Sequence, residues 1–290
     1  MTMFGLNVPA DASAGADPVA LARRAEDLGF DFVSTADHPC GREPSYEAWT
    51  MLSWIAASTS RITVATRVLG VPYRHPPMVA KMAETLDRLS GGRLILGLGG
   101  GYSDDEFRAF GLGVPTPAQK VDGLAEAIEI IRGLWSGPAF SFDGGRYRTS
   151  EADLEPKPAH RIPIWLGTFG PRALAVTGRL ADGWIPSLGY ASLDELIVMR
   201  GRVLAAARAA GRDGGFTCAL NLQVQVDEQA DAGPSVVAGP PATVAERLTA
   251  LIEAGFTALN FIPAGRPHDE QAGRLAREVL PSLAASVNAG

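Results

Sequence analysis

The residues best suited to chemistry form short stretches, each directly after an apolar segment of the chain. In one of them, Asp37 and His38 place a carboxylate beside an imidazole. Histidine is the usual general acid or base near neutral pH. In an isolated loop, such a pair would more often cap the loop and hydrogen-bond the backbone. Its position at a predicted strand end instead favours a functional role for both side chains.

Three consecutive glycines, Gly99, Gly100 and Gly101, follow the apolar segment Arg93–Leu98. Glycine adopts positive φ readily and allows the backbone to approach a flat or anionic group closely. The alternative is a tight turn without a ligand. We predict that this stretch forms one wall of a ligand site at the end of a strand.

A third stretch, from Gly167 to Arg172, has the pattern of an anion-binding turn. Pro171 suits the first position of a helix, where the free N–H groups point towards the preceding loop. The Arg172 guanidinium and the Thr168 hydroxyl are additional donors. Simple helix capping is the alternative. The candidates from this turn and from the end of a further apolar segment are Gly167, Thr168, Phe169, Gly170, Pro171 and Arg172, with Thr66, Arg67 and Val68.

These stretches belong to an alternation of apolar strands and amphipathic helices that continues to the end of the chain. Eight strands, each followed by a helix, are typical of a (β/α)8 barrel, in which sites lie at the carboxyl ends of the strands. An open, doubly wound sheet is the alternative, but it normally offers one glycine-rich strand end. The predicted strands are Phe4–Val8, Phe30–Ser34, Ile62–Leu69, Arg93–Leu98, Ile162–Leu166, Trp184–Ser187, Thr217–Val226 and Ala258–Ile262.

The whole chain, residues 1–290, is predicted to be a single domain. Residues 137–161 break the alternation after the fourth unit and are predicted to be an insertion containing a hairpin. A helix from Pro241 is predicted to be capped by Thr243 with Glu246. The closing helix is predicted over His268–Ala285.

Composition excludes several classes of partner. A net charge of −6 over 290 residues argues against binding to nucleic acid or to an anionic membrane. No apolar run reaches the length of a membrane span, and the N-terminus lacks the basic region of a signal peptide. Two cysteines, Cys40 and Cys218, are too few for a disulfide framework and fit a reducing cytoplasm.

Several reaction types are also disfavoured. None of the three lysines lies at a predicted strand end, where a Schiff-base lysine would be needed. The four histidines show no metal-ligand spacing, so no metal is expected. The chain also lacks a nucleophile elbow and a P-loop. A barrel that binds a large anionic cofactor with its own reactivity remains.

The chain resembles the bacterial luciferase-like monooxygenase superfamily, and within it the oxidoreductases that use the deazaflavin coenzyme F420. The most specific motif is LDRLSGGRLILGLGGG, followed by EF and FG up to Gly111. The resemblance extends over nearly the whole chain and rests on several motifs in order. The others are Ala36-Asp37-His38, Arg74-His75-Pro76, Gly170-Pro171-Arg172-Ala173-Leu174, Ala181-Asp182-Gly183-Trp184, and a C-terminal TVAERL with EAG.

The resemblance implies roles for individual residues. The cofactor ring would lie against the third and fourth strand ends, and Arg67-Val68 occupies the position of a non-prolyl cis peptide in the family. Asp37 would hold the cofactor, and the turn from Gly167 to Arg172 would bind its phosphate. His38 would act as acid or base, or stabilise the reduced ring.

One residue departs from the family pattern. Sugar-phosphate dehydrogenases of the family carry a glutamate after the last glycine of the fourth strand end, where this chain has Tyr102. Tyr102 is therefore a candidate donor to a different substrate.

The function expected from the resemblance is hydride transfer between F420 and a small organic substrate. There are two alternatives. One is an FMN-dependent monooxygenase that takes reduced flavin from a separate reductase, and the other is a flavin-binding protein without turnover. A homodimer is expected from the resemblance alone.

Overall fold

The computed structural model describes residues 2–212, 214–230, 233, 235–265 and 267–283. Within them, the strands are β1 (Met3–Asn7), β2 (Phe32–Thr35), β3 (Thr63–Thr66), β4 (Leu69–Gly70), β5 (Leu94–Gly99), β6 (Phe140–Asp143), β7 (Arg148–Ala152), β8 (Ile164–Leu166), β9 (Gly183–Trp184), β10 (Thr217–Val226), β11 (Val236–Gly239) and β12 (Ala258–Pro263). Eight of these strands form a closed parallel barrel, since β12 pairs with β1. The order around the barrel is β1, β2, β3, β5, β8, β9, β10 and β12.

The helices pack outside the barrel. Their bounds are α1 (Pro18–Asp27), α2 (Ala48–Ser58), α3 (Pro76–Ser90), α4 (Asp104–Ala109), α5 (Pro117–Ser136), α6 (Pro171–Leu180), α7 (Leu193–Ala209), α8 (Pro241–Glu253) and α9 (His268–Arg274). A 3-10 turn covers Val71–Tyr73, and a π-helix over Leu275–Val279 continues α9. Among the described residues, no helix is both long enough and apolar enough to cross a membrane.

The barrel interior is filled by an apolar layer beneath a polar one. Seven residues form the apolar layer: Phe32, Ala65, Ile95, Trp165, Ile185, Ala219 and Ala258. The residue two positions after each of these seven is polar in five cases and glycine in the other two. Because strand side chains repeat with a period of two, these second positions also point inwards, one layer closer to the carboxyl ends. The polar residues are Ser34, Arg67, Ser187, Asn221 and Asn260.

The structure confirms the predicted single (β/α)8 barrel and changes several boundaries. The third predicted strand is two short strands, β3 and β4, joined by Arg67 and Val68. The hairpin predicted within residues 137–161 consists of the antiparallel pair β6 and β7. The closing helix is described to residue 283, so the end predicted at Ala285 lies outside the described residues.

The prediction that Thr243 caps a helix is wrong. The helix α8 begins at Pro241 with Pro240 as its N-cap, and no side chain caps it. The proline ring fixes φ near the helical value and needs no N–H partner, so the helix starts two residues before the threonine.

Candidate active site

A cavity of about 460 Å³ opens at the carboxyl ends of the barrel strands. Its volume lies in the range of small-molecule sites. Most of the sequence-predicted site residues line it, and they come from the ends of β2, β3, β5 and β8. The predicted residues in its wall are Asp37, His38, Arg67, Val68, Gly99, Gly100, Gly101, Tyr102, Gly167 and Phe169.

Five other predicted residues do not line this cavity. The Thr66 hydroxyl bonds the backbone of Gly97, donating to its carbonyl at 2.7 Å and accepting from its N–H at 2.8 Å. Thr168 is buried, and its hydroxyl lies 2.7 Å from that of Thr177. The exposed Arg172 side chain pairs with Asp122 on α5. Gly170 and Pro171 begin α6 beside the cavity.

His38 is held by a carboxylate that the sequence did not single out. Its Nδ1 lies 2.8 Å from Oε1 of Glu106, which is almost buried. The other carboxylate oxygen of Glu106 accepts a hydrogen bond from the hydroxyl of Tyr73. Burial and the bond to Glu106 raise the pKa of Tyr73, so its hydroxyl remains a donor at neutral pH. Glu106 therefore fixes one ring nitrogen of His38, while the half-exposed ring lines the cavity.

The short helix α4 brings Glu106 to this position. Ser103 caps its start by accepting a hydrogen bond from the Glu106 N–H. Gly101, with φ of +90°, turns the chain away from β5, and a Cβ there would lie 2.2 Å from the Phe107 ring. Only glycine satisfies both requirements, so the glycine run serves the placement of Glu106 as well as the cavity wall.

The carboxylate of Asp37 is fully occupied by protein donors. It is 5% exposed, and Arg74 donates to its two oxygens at 2.8 and 3.0 Å. The backbone N–H of Gly70 adds a third bond at 2.9 Å. Arg74 also pairs with Glu47, which caps α2. Asp37 thus ties the ends of β2 and β4 together beneath His38, and the Arg74 noted in the sequence is its partner.

The peptide bond between Arg67 and Val68 is cis, as the family resemblance implied. The Val68 side chain lies between the ends of β5 and β8. A Cβ on Gly99 would lie 2.6 Å from Val68, and one on Gly167 would lie 3.2 Å from it. The two glycines therefore make room for Val68, which presents an apolar surface to the cavity.

A chain of amides and hydroxyls crosses the barrel at the floor of the cavity, whose wall includes Ser187 and Asn221. Ser34 donates to Asn260 at 2.9 Å, and Asn260 donates to Asn221 at 2.9 Å. Asn221 donates in turn to Ser187 at 3.3 Å. The polar group of each residue is thereby satisfied, as buried polar groups require. Sequence reasoning missed this layer, although a polar residue two positions after an inward apolar residue was a visible signal.

Aromatic rings form one side of the cavity. The Tyr102 ring lies 6.1 Å from that of His38 and 5.9 Å from that of Tyr190. Phe169 lies 5.7 Å from Tyr190. A hydrogen bond to Tyr102 raises the pKa of the Tyr190 hydroxyl. These rings offer a flat, largely apolar surface with two phenol groups.

The turn before α6 has free backbone donors. Its N-cap, Gly170, makes no side-chain capping bond, and Pro171 occupies the first helical position. The N–H groups of the first turn therefore point towards the loop that follows β8. No group of metal-ligating side chains occurs among the described residues. The arrangement suits an organic cofactor with an anionic group, with acid–base chemistry at His38.

Comparison with known proteins places this site in a family. A family model described as luciferase-like monooxygenase matches residues 2–235. The chain belongs to the luciferase-like monooxygenase family. An F420-dependent glucose-6-phosphate dehydrogenase of Beutenbergia cavernae is 30% identical, with 98% of each chain covered. The protein of that name in Nakamurella multipartita is 28% identical, covering 99% of this chain and 98% of its own.

A solved luciferase-like structure confirms the fold. The F420-dependent secondary alcohol dehydrogenase in complex with an F420-acetone adduct matches with a TM-score of 0.88 and 19% identity. The match covers 97% of this chain and 99% of that one. At this identity the similarity establishes the barrel and its topology.

Proposed function

We propose that this protein is an F420-dependent oxidoreductase that transfers a hydride between the coenzyme and a small organic substrate. The observation that carries the proposal is the His38–Glu106 pair at the wall of a strand-end cavity in a chain whose full-length relatives are named F420-dependent dehydrogenases. When bound, F420 supplies the ring carbon that gives or takes the hydride.

The residues around the cavity fit this coenzyme. Val68, seated between Gly99 and Gly167, offers an apolar support for a flat ring. The first turn of α6 offers backbone N–H donors for a phosphate, while the Arg172 side chain in that turn pairs with Asp122. Asp37 acts indirectly in this scheme, because Arg74 and Gly70 already occupy its carboxylate.

His38 moves the substrate proton. With Glu106 ionised, Nδ1 of His38 carries a hydrogen and Nε2 is free to accept or return a proton at a substrate oxygen. Tyr73 donates to Glu106 and keeps that carboxylate oriented. Tyr102 supplies a second hydroxyl on the same side, 6.1 Å from His38 between ring centres.

We do not propose a sugar phosphate as the substrate. The two relatives named above carry that activity in their names, but Tyr102 stands where the family resemblance places a glutamate in such enzymes. We further propose that the enzyme works as a cytoplasmic homodimer, which its two free cysteines and an exposed apolar face on α2 and α3 support.

Replacement of His38 separates catalysis from binding. We expect His38→Ala to lower kcat by about 100-fold or more, since acid–base catalysis contributes that much, while F420 affinity stays within about twofold. Turnover is measured with the best substrate found among alcohols, aldehydes and unsaturated acids. His268→Ala, at the start of α9, is the control. Unchanged kcat in His38→Ala would show that His38 does not move the substrate proton. Absence of turnover with every substrate tested would favour the flavin-binding protein without turnover.

A further inference from the structure

Arg67 is a cation at the cavity wall without a carboxylate partner among the described residues. Its Nη2 donates to the Asn7 side-chain oxygen at 3.0 Å. Its Nε is buried and has no hydrogen-bond partner. Arg74, by contrast, pairs with two carboxylates, and Arg132 pairs with Asp182. One amide acceptor leaves most of the five guanidinium N–H donors of Arg67 unused.

Arg67 keeps its charge despite this setting. Burial lowers its pKa to about 10, which still leaves the guanidinium protonated at neutral pH. A partly buried charge with so few acceptors is unfavourable unless another group supplies them. An anion in the cavity would supply the missing acceptors.

The other ionisable groups of the cavity wall already have hydrogen-bond partners within the protein. The Asp37 carboxylate is bonded to Arg74 and to the Gly70 N–H. The Glu106 carboxylate is bonded to His38 and Tyr73. Among these lining groups, Arg67 is the one with most of its donors unused, and a cation with free donors favours a negatively charged ligand.

The surroundings of Arg67 indicate what the uncharged part of such an anion would be. Arg67 lines the same cavity as Tyr102, Phe169 and Tyr190. These three rings form the aromatic side of the cavity, with neighbouring ring centres within 6 Å. Flat unsaturated groups pack well on such rings.

We propose that Arg67 anchors the carboxylate of the substrate, so that this enzyme acts on small aromatic or unsaturated organic acids. The planar guanidinium matches a carboxylate better than a point charge would. The inference rests on the proposed function, because it assigns the substrate class of that same cavity.

Benzoate and benzamide are matched probes, since they share a ring and differ in charge. Calorimetric titration of the wild-type protein, with and without saturating F420, is expected to give at least about tenfold tighter binding of benzoate. Arg67→Met should lose at least tenfold in benzoate affinity and leave benzamide unchanged. Arg67→Lys keeps the charge and should fall between the two. Arg208→Met, an exposed arginine in the last turn of α7, is the control.

Three results would overturn the proposal. The first is absent or equal binding of benzoate and benzamide to the wild type, and the second is undiminished benzoate binding by Arg67→Met with a native melting temperature. The third is a tenfold loss of F420 affinity in Arg67→Met with benzoate binding intact, which would make Arg67 a cofactor residue. Benzoate binding that depends on Arg67 in a protein unable to bind F420 would instead refute the proposed function and retain the anchor.

Discussion

Among single residues, Glu106 has the greatest influence on the proposed chemistry, although the sequence predicted no role for it. It bonds His38 with one oxygen and Tyr73 with the other. A histidine whose Nδ1 hydrogen is fixed presents Nε2 in one orientation and one tautomer. Glu106 is therefore a positioning residue for His38.

Glu106→Gln should lower kcat by about tenfold or more, because the amide removes the anion that orients and stabilises the protonated imidazole. F420 affinity should remain within about twofold. The pH profile of kcat should shift as well, which a purely structural role would not cause. Asp105→Asn, at the exposed neighbouring position, is the control. An unaltered pH profile and kcat in Glu106→Gln would remove this role.

Between elements, Glu26 joins α1 to the turn that precedes β3. Its carboxylate accepts backbone N–H bonds from Ser60, Arg61 and Ile62 at 2.9, 2.6 and 2.9 Å. Burial alone would raise its pKa, but these bonds and the Arg61 charge lower it to about 2. The ionised carboxylate therefore stabilises the folded state above its unfolded pKa of 4.5, and this contribution is lost as pH falls from 4.5 to about 2.

Glu26→Gln should reduce the free energy of unfolding at pH 7 by about 1 kcal/mol, a value kept small because solvent screens this site. The melting temperature should fall by about 2–4 °C. The difference from wild type should shrink as pH is lowered from about 4.5 towards 2, since the wild type then loses its anion. Calorimetry at several pH values measures this, with Asp27→Asn on the same helix as control. A pH-independent difference would contradict the assignment.

At the scale of the whole molecule, the outer surface carries an apolar face on α2 and α3 that is not buried in the core of the barrel. Trp54 on α2 is 69% exposed, and Met78 and Leu89 on α3 are 57% and 81% exposed. Large exposed apolar side chains on two neighbouring helices are a candidate interaction surface. A second copy of the chain is the partner that the proposed homodimer assigns to it.

Trp54→Glu should convert the protein to a monomer, because a charge would have to be buried in the interface. Light scattering with size-exclusion chromatography measures the mass. Val198→Glu, at an exposed position on α7, makes the same kind of change elsewhere and should leave the mass unaltered. A wild-type protein that is already monomeric, or a Trp54→Glu variant that stays dimeric, would contradict this interface.

Much of the architecture was predictable from local patterns. Apolar strands alternating with amphipathic helices gave the barrel, and the strand ends gave the cavity wall. The hydrogen-bond partners of those residues were not predictable, because they lie on other elements that the fold brings next to the strand ends. Glu106 reaches His38 only because α4 turns back from β5, and Arg172 turns to Asp122 on α5. Such contacts depend on tertiary packing, which spacing along one segment does not encode.

The most direct test of the proposed function is a binding titration of the purified protein with F420 and, separately, with FMN. We expect saturable F420 binding that is at least about tenfold tighter than FMN binding. Tight FMN binding with no binding of F420 would contradict the account and favour the two-component monooxygenase.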